Sequence, residues 1–167
     1  MTPPRTRETP QPGQESVWDY PRPPACVPSA RHIVVRSGSQ VIADTCAAWR
    51  VLETSHPPTW YLPHADVTTN AVTRTDARST FCEWKGAATY WDVLLEDGQV
   101  LAAAAWSYEN PSPGYAAITG HLAFTPSRLT CTVDGELVRP QEGGFYAGWI
   151  TDDVVGPFKG GPGTVGW

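Results

Sequence analysis

The 167-residue chain lacks several signatures that would have placed it quickly, and each absence removes a class of function. It has no run of basic residues: 12 Lys and Arg are scattered against 17 Asp and Glu, for a net charge of -5. Nucleic-acid binding by phosphate neutralisation needs a clustered positive patch, so that class is set aside. The four cysteines, at positions 26, 46, 82 and 131, form no Cys-x-x-Cys pair, which argues against a zinc knuckle and leaves no predicted metal site. No apolar run approaches membrane length, and Thr2-Pro3-Pro4-Arg5-Thr6-Arg7 is not the apolar core of an export signal. The reading is therefore a cytoplasmic protein with reduced thiols and no membrane partner. Neither a Gly-x-Gly-x-x-Gly nor a Walker loop is present, so no cofactor is expected.

What is present points to strands and turns. Eight tryptophans, 17 prolines and 15 glycines against one methionine are difficult to place in a helical bundle. The length favours one domain, able to bury about 70% of its unfolded surface. Residues 1–14 read as a mobile Pro-rich tail, and residues 15–167 as a single β domain. Within it, Trp18 and Tyr20 are positioned to anchor the extended segment 15–24.

Turn signals then divide the chain. Ser37-Gly38-Ser39 separates two β-branched runs and predicts a hairpin, as does Asp134-Gly135 between Leu129–Val133 and Glu136–Val138. Cys131 falls in phase with Leu129 and Val133 and is expected to be buried and inert. Alternation over Ala47–Glu53 puts Trp49, Val51 and Glu53 on one face, followed by a turn at His56-Pro57-Pro58. Thr68–Ser79 is polar and threonine-rich, and reads as a connection with some local strand. Cys82–Trp91 reads as one arm of a hairpin closed by a two-residue type I′ turn at Asp97-Gly98. That register sets Trp91 opposite Ala104, Tyr90 opposite Ala105 and Thr89 opposite Trp106. Short helical turns are expected near Pro63–Val67 and Pro113–Ile118, and the Gly- and aromatic-rich tail from Gly143 should lie over the body through Trp149, Phe158 and Trp167.

Two polar clusters carry the candidate chemistry. Lys85, beside Trp84 and ahead of Gly86, is either a desolvated amine able to attack a carbonyl or hold an anion, or a lysine whose stem covers an indole. Glu53 and His56 are three apart across a turn, which suits an acid–base pair and equally a carboxylate bound to turn N–H groups. Cys82 is a nucleophile if a neighbour lowers its pKa, but in an unbroken strand it faces away from Lys85, and a structural thiol is the simpler reading. Tyr90 joins Lys85, Glu53 and His56 as a catalytic candidate. Tyr61, Cys82, Trp84, Trp91, Trp106 and Tyr108 are candidate ligand-binding groups, since so many rings cannot all be buried in a one-sided sheet. His64 and His121 lack companions at metal-ligand spacing.

Several of these strings occur together and in order: Glu15–Pro24, Glu53–Pro63, Cys82–Trp91, Ala105–Tyr108, Gly120–Phe124, and the closing Gly148–Thr151 and Val155–Gly160. In combination the chain resembles the bacterial domain of unknown function 427 family, of actinobacterial type, over roughly residues 15–167. The resemblance implies a compact, mostly β fold of twisted antiparallel sheets and hairpins, tent-like or a partly closed barrel, without the metal cysteines of related zinc-ribbon-derived domains. It implies no assigned activity. A label attached to the family points to nucleotidyltransferases, which need a Gly-Ser turn and paired aspartates for magnesium. Gly38-Ser39 is present, but Asp44 stands alone, with Cys46 where its partner would be. Three functions are thus carried forward: a small-molecule pocket with Lys85 and Glu53/His56 as possible enzymatic groups, a non-catalytic ligand- or peptide-binding module, and a nucleotidyltransferase-like protein.

Overall fold

The computed structural model describes residues 6–167. It is mostly β, with several antiparallel sheets and no closed barrel among the described residues. Its helix is confined to 3-10 turns at Val17–Asp19, His64–Asp66 and Pro113–Ile118. No helix is long and apolar enough to cross a membrane. Of the predicted N-terminal tail, residues 1–5 lie outside the described residues. Residues 6–14 form no strand or helix, though the Glu8 N–H donates to the Gly156 carbonyl.

In chain order the strands are β1 (Glu15–Ser16), β2 (Ala25–Ser29), β3 (Ile33–Ser37), β4 (Gln40–Thr45), β5 (Ala48–Leu52) and β6 (Thr59–Tyr61). Next come β7 (Val72–Cys82), β8 (Gly86–Leu94), β9 (Val100–Ser107) and β10 (Ala123–Phe124). The chain closes with β11 (Thr130–Val133), β12 (Glu136–Leu137), β13 (Arg139–Pro140), β14 (Trp149–Ile150) and β15 (Val154–Val155). Two four-stranded sheets dominate, ordered β12-β11-β3-β4 and β10-β9-β8-β7. A third sheet, β2-β5-β6, meets the second through mutual N–H···O bonds of 2.8 Å between Leu62 and Leu122.

The first sheet follows the sequence closely. Ser37 pairs with Gln40 across Gly38-Ser39, and Val133 with Glu136 across Asp134-Gly135. Asp134 and Gly135 both have positive φ, as a type I′ turn requires. Asp134 is held there because its carboxylate accepts the His32 N–H at 2.9 Å and pairs with Arg31 at 2.8 Å. Cys131 is buried among Ile33, Val35 and Ile42, and desolvation pushes its thiol pKa up to about 12.

The second sheet departs from expectation in three places. The polar stretch Thr68–Ser79, expected to be a connection with some local strand, is from Val72 onward part of the long edge strand β7; its Thr-rich, exposed composition suits a strand with water on one side. The Asp97-Gly98 turn is not a two-residue loop. The Leu95 N–H donates to the Gln99 carbonyl around a three-residue Glu96-Asp97-Gly98 loop, with Gly98 at φ +87. A bulge between Trp91 and Val93 then shifts the register again, so Trp91 faces Ala105, Tyr90 faces Trp106 and Thr89 faces Ser107. The predicted partners were therefore one residue off. Finally, Cys82–Trp91 is not a single arm: Glu83-Trp84-Lys85 turns the chain from β7 into β8, and Cys82 pairs with Gly86.

Side-chain alternation makes this sheet a wall between two apolar clusters. Val93, Ala105 and Phe124 face the main core, which also holds Trp60, Leu62 and Trp149. Ala88, Tyr90 and Ala123 face a second cluster with Val51, Tyr61, Tyr108 and Ile118. A third, smaller cluster joins Val17, Tyr20, Leu52 and Val154, with Trp18 and Phe158 against it. Trp18 and Trp167 meet edge to face at 5.2 Å, and the Trp149 indole N–H donates to the Phe124 carbonyl. The C-terminal tail is thereby fixed to the body, partly through β13, β14 and β15.

Candidate functional site

On the second-cluster face lies a cleft of about 580 Å³. Its floor comes from the ends of β5 to β9, and its far wall from the chain around residues 140–148. Glu53, His56, Lys85 and Tyr90, the four catalytic candidates, all line it. So do Tyr61, Cys82, Trp84, Trp106 and Tyr108.

Trp91 does not. Neighbouring strand residues point to opposite faces, so placing Tyr90 in the cleft sends Trp91 to the core side. There its indole donates to Ser107 Oγ at 2.9 Å and its ring meets His64 edge-on at 5.3 Å. Cys82 and Lys85 share the cleft because Lys85 sits in the three-residue turn that follows Cys82, outside the strand alternation.

Two irregularities aim groups into the cleft. In β7, Asp76, Ala77 and Arg78 are extra between the pairs Thr75–Tyr90 and Ser79–Thr89, and Arg78 lies 4.8 Å over the Tyr90 ring. The Tyr90 hydroxyl in turn hydrogen-bonds Thr80 Oγ1 at 2.9 Å. In β9, Ala103 lines the cleft at φ +50, a region an L side chain rarely enters. Its N–H donates to Asp92 Oδ1 at 2.7 Å, which holds the bulge.

The Glu53–His56 pair is built by a tight turn. The His56 N–H donates to the Glu53 carbonyl at 3.0 Å, with Ser55 at φ +72 between them. The Ser55 main chain bonds Val17 and Lys159, while its buried hydroxyl has no partner among the described residues. Glu53 Oε2 lies 3.2 Å from Arg22 Nη2 and 3.5 Å from His56 Nε2. Gln141 Nε2 approaches His56 Nδ1 at 3.4 Å, which leaves the imidazole proton on Nε2, facing Glu53.

Burial first, then the charges of Lys159, Arg22 and Lys85, lower the His56 pKa to about 4. The Glu53 carboxylate, beyond ideal hydrogen-bond distance and engaged by Arg22, does not offset them. His56 is therefore neutral at pH 7. Burial also raises the phenol pKa values of Tyr61 and Tyr108 well above normal. The Tyr61 hydroxyl accepts a long 3.4 Å bond from the Trp106 indole, and Lys85 Nζ sits 5.5 Å from the Tyr108 ring centre. Among the described residues no carboxylate lies within 4.0 Å of Lys85, so Lys85 and Glu53 share the cleft without forming an ion pair.

Gln141, Tyr146 and Lys159 were not singled out from the sequence. Gln141 is buried and fully used: its amide nitrogen donates to the Lys159 carbonyl at 2.6 Å, and its oxygen accepts the Gly148 N–H at 3.1 Å. A Cβ at Gly148 would lie 2.6 Å from Pro57 Cγ, so only glycine lets this wall close on the His56 turn. The Tyr146 ring meets His56 edge-on at 4.8 Å. The Gly-aromatic composition of 143–149 was the one available signal.

A family model described as a domain of unknown function, DUF427, matches residues 25–138. The chain belongs to this family. No curated protein matches the chain. The DUF427 match includes Glu53, His56, Lys85 and Tyr90, whereas Gln141, Tyr146 and Lys159 lie beyond it. The Gly38-Ser39 pair is the tip of the β3–β4 hairpin, and the exposed Asp44 carboxylate meets His32 Nε2 at 2.7 Å.

Proposed function

We propose that the cleft is the small-molecule binding site of a bacterial cytoplasmic DUF427 protein, with Lys85 as its charged anchor and Trp84, Trp106 and Tyr108 as walls. The observation that carries this reading is convergence: groups from the separate stretches 53–61, 82–90 and 106–108 line one cavity of about 580 Å³. That volume falls in the usual range for small-molecule sites, which combine aromatic walls with a few polar groups. Four free thiols fit a reducing compartment. The test is native mass spectrometry of the protein after exposure to a bacterial small-molecule extract. The wild type should retain a discrete mass that Lys85→Ala loses, with the circular dichroism of both proteins unchanged. Equal retention by the two proteins would contradict the assignment.

A second reading adds catalysis, and the Glu53–His56 contact at 3.5 Å favours it. With its proton on Nε2, His56 presents the Nδ1 lone pair, now shared with Gln141, as the basic atom. A histidine held near pKa 4 is a weak base at neutral pH, so binding stands first.

A further inference from the structure

We propose, on the basis of that binding reading, that the ligand is a small phosphorylated compound with a flat ring, its phosphate held by the cleft's cations and its ring by the aromatic wall. The charge pattern carries the inference. Outside the cleft, Arg22, Arg31, Arg50, Arg74 and Arg139 each lie within 4.0 Å of a carboxylate, and only Arg7 and Arg36 among the described cations there do not. Inside it, Arg78, Lys85 and Arg128 have no such partner among the described residues. This acidic chain, with a net charge of -5, thus collects unpaired positive charge in one cavity.

The cations are held in ways that leave their charge uncancelled. Arg78 lies over Tyr90 and Lys85 over Tyr108, so ring faces position them. Arg128 donates to the Ala102 carbonyl. Lys159, whose ammonium donates to the Trp167 main-chain oxygen at 3.0 Å and lies 5.5 Å from the Tyr146 ring centre, is held more closely than these three and is not counted with them. Of the cleft's two carboxylates, Glu53 is taken by Arg22, and the single charge of Glu83 leaves Arg78, Lys85 and Arg128 in excess. His56 acts as an internal probe of this field, since nearby cations add to burial in keeping its ring unprotonated.

Like charges around one cavity repel each other unless an anion occupies it. A phosphate monoester brings nearly two negative charges and three acceptor oxygens, matching a guanidinium fork and an ammonium together. The flat-ring requirement comes from Trp84 and Trp106, each partly exposed against the second cluster, and from the exposed Phe81 and Phe145 that also line the cleft.

Isothermal titration calorimetry of the full chain tests this with four probes: 1-naphthyl phosphate, 1-naphthol, 1-naphthylmethylamine and inorganic phosphate. The expected result is naphthyl phosphate binding at least tenfold more tightly than each of the others, and weakening as salt rises. Arg78→Gln and Lys85→Gln should each cost about fivefold or more, with Lys85→Arg recovering part of the loss and circular dichroism unchanged throughout. Naphthol or the amine binding as tightly as the phosphate overturns the anion proposal while leaving a small-molecule cleft. Inorganic phosphate binding as tightly as naphthyl phosphate overturns the flat-ring requirement. No measurable binding of any ring compound overturns this proposal and the binding reading together.

Discussion

The two faces of the β7–β10 sheet are made by the same strands and the same alternation, yet they do opposite things. On one face Val93, Ala105 and Phe124 close onto Trp149 and Leu62 with no charged side chain among them. On the other, Tyr90, Trp106 and Tyr108 meet Arg78, Lys85 and a neutral His56 across an open cleft. Tyr90 and Trp91 are adjacent in sequence, and a single step along the strand decides which environment each enters. The difference teaches that the cleft is not core left unfilled. Two bulges in the wall, at Asp76–Arg78 and around Ala103, turn a guanidinium and a strained backbone toward it. Bulges of this kind commonly re-aim side chains beside functional sites.

If the faces differ in this way, substitutions on them should separate stability from binding. The largest stability loss belongs to the core face. Phe124→Ala removes a ring that is 0% exposed and should cost about 3–5 kcal/mol in denaturant unfolding. A loss below about 1 kcal/mol would mean that this face is not tightly packed.

Next comes acid. His56 has an ordinary pKa of 6.5 when unfolded and about 4 when folded, so below pH 6.5 the unfolded chain takes the proton first. Stability should fall between pH 6.5 and 4 by up to about 3 kcal/mol, the linkage equivalent of that shift. The lowered carboxylates, Glu15 held by Arg50 and Tyr20 and Asp153 held by Thr151 and Arg31, begin to lose their contributions only as pH falls toward 4.5, the ordinary Glu value, so the upper part of the His56 window is separable. His56→Gln should flatten the profile within it.

Asp92→Ala is expected to be smaller. It leaves the Ala103 N–H without its acceptor and should cost about 1–3 kcal/mol, with Arg78 and Tyr90 contacts perturbed along with the bulge. Smallest is Lys85→Ala. It removes a half-buried ammonium with no carboxylate partner, so stability should change by less than about 0.5 kcal/mol while ligand binding is lost. A Lys85→Ala protein that unfolds as readily as Phe124→Ala would erase the distinction between the faces.

How much of this was legible beforehand differs by region for a physical reason. The β3–β4 and β11–β12 hairpins could be read because two-residue turns with Gly38 or Asp134-Gly135 fix their register locally. The Asp97-Gly98 register was missed because the same dipeptide also fits a three-residue loop, and packing rather than propensity selects it. β7 was read only as a connection with some local strand because an edge strand need not be apolar, and Arg78 was missed with it. In the site, Glu53, His56, Lys85 and Tyr90 were legible as dense chemistry, and they converge. Trp91 was assigned to the pocket by proximity in sequence, which alternation forbids when Tyr90 is there. Gln141 and Lys159 act across more than 80 and 100 residues of chain on His56, a distance at which no local pattern speaks.

The central claim is that the cleft is a positively charged site that binds an anion, and the partly buried His56 ring reports it directly. Its carbon-bound imidazole proton, followed by NMR across pH, should titrate with a midpoint of about 4 in the free protein. Saturation with 1-naphthyl phosphate should move that midpoint upward, because the bound charge offsets Lys159, Arg22 and Lys85. A midpoint near 6.5 that does not respond to the anion would contradict the account.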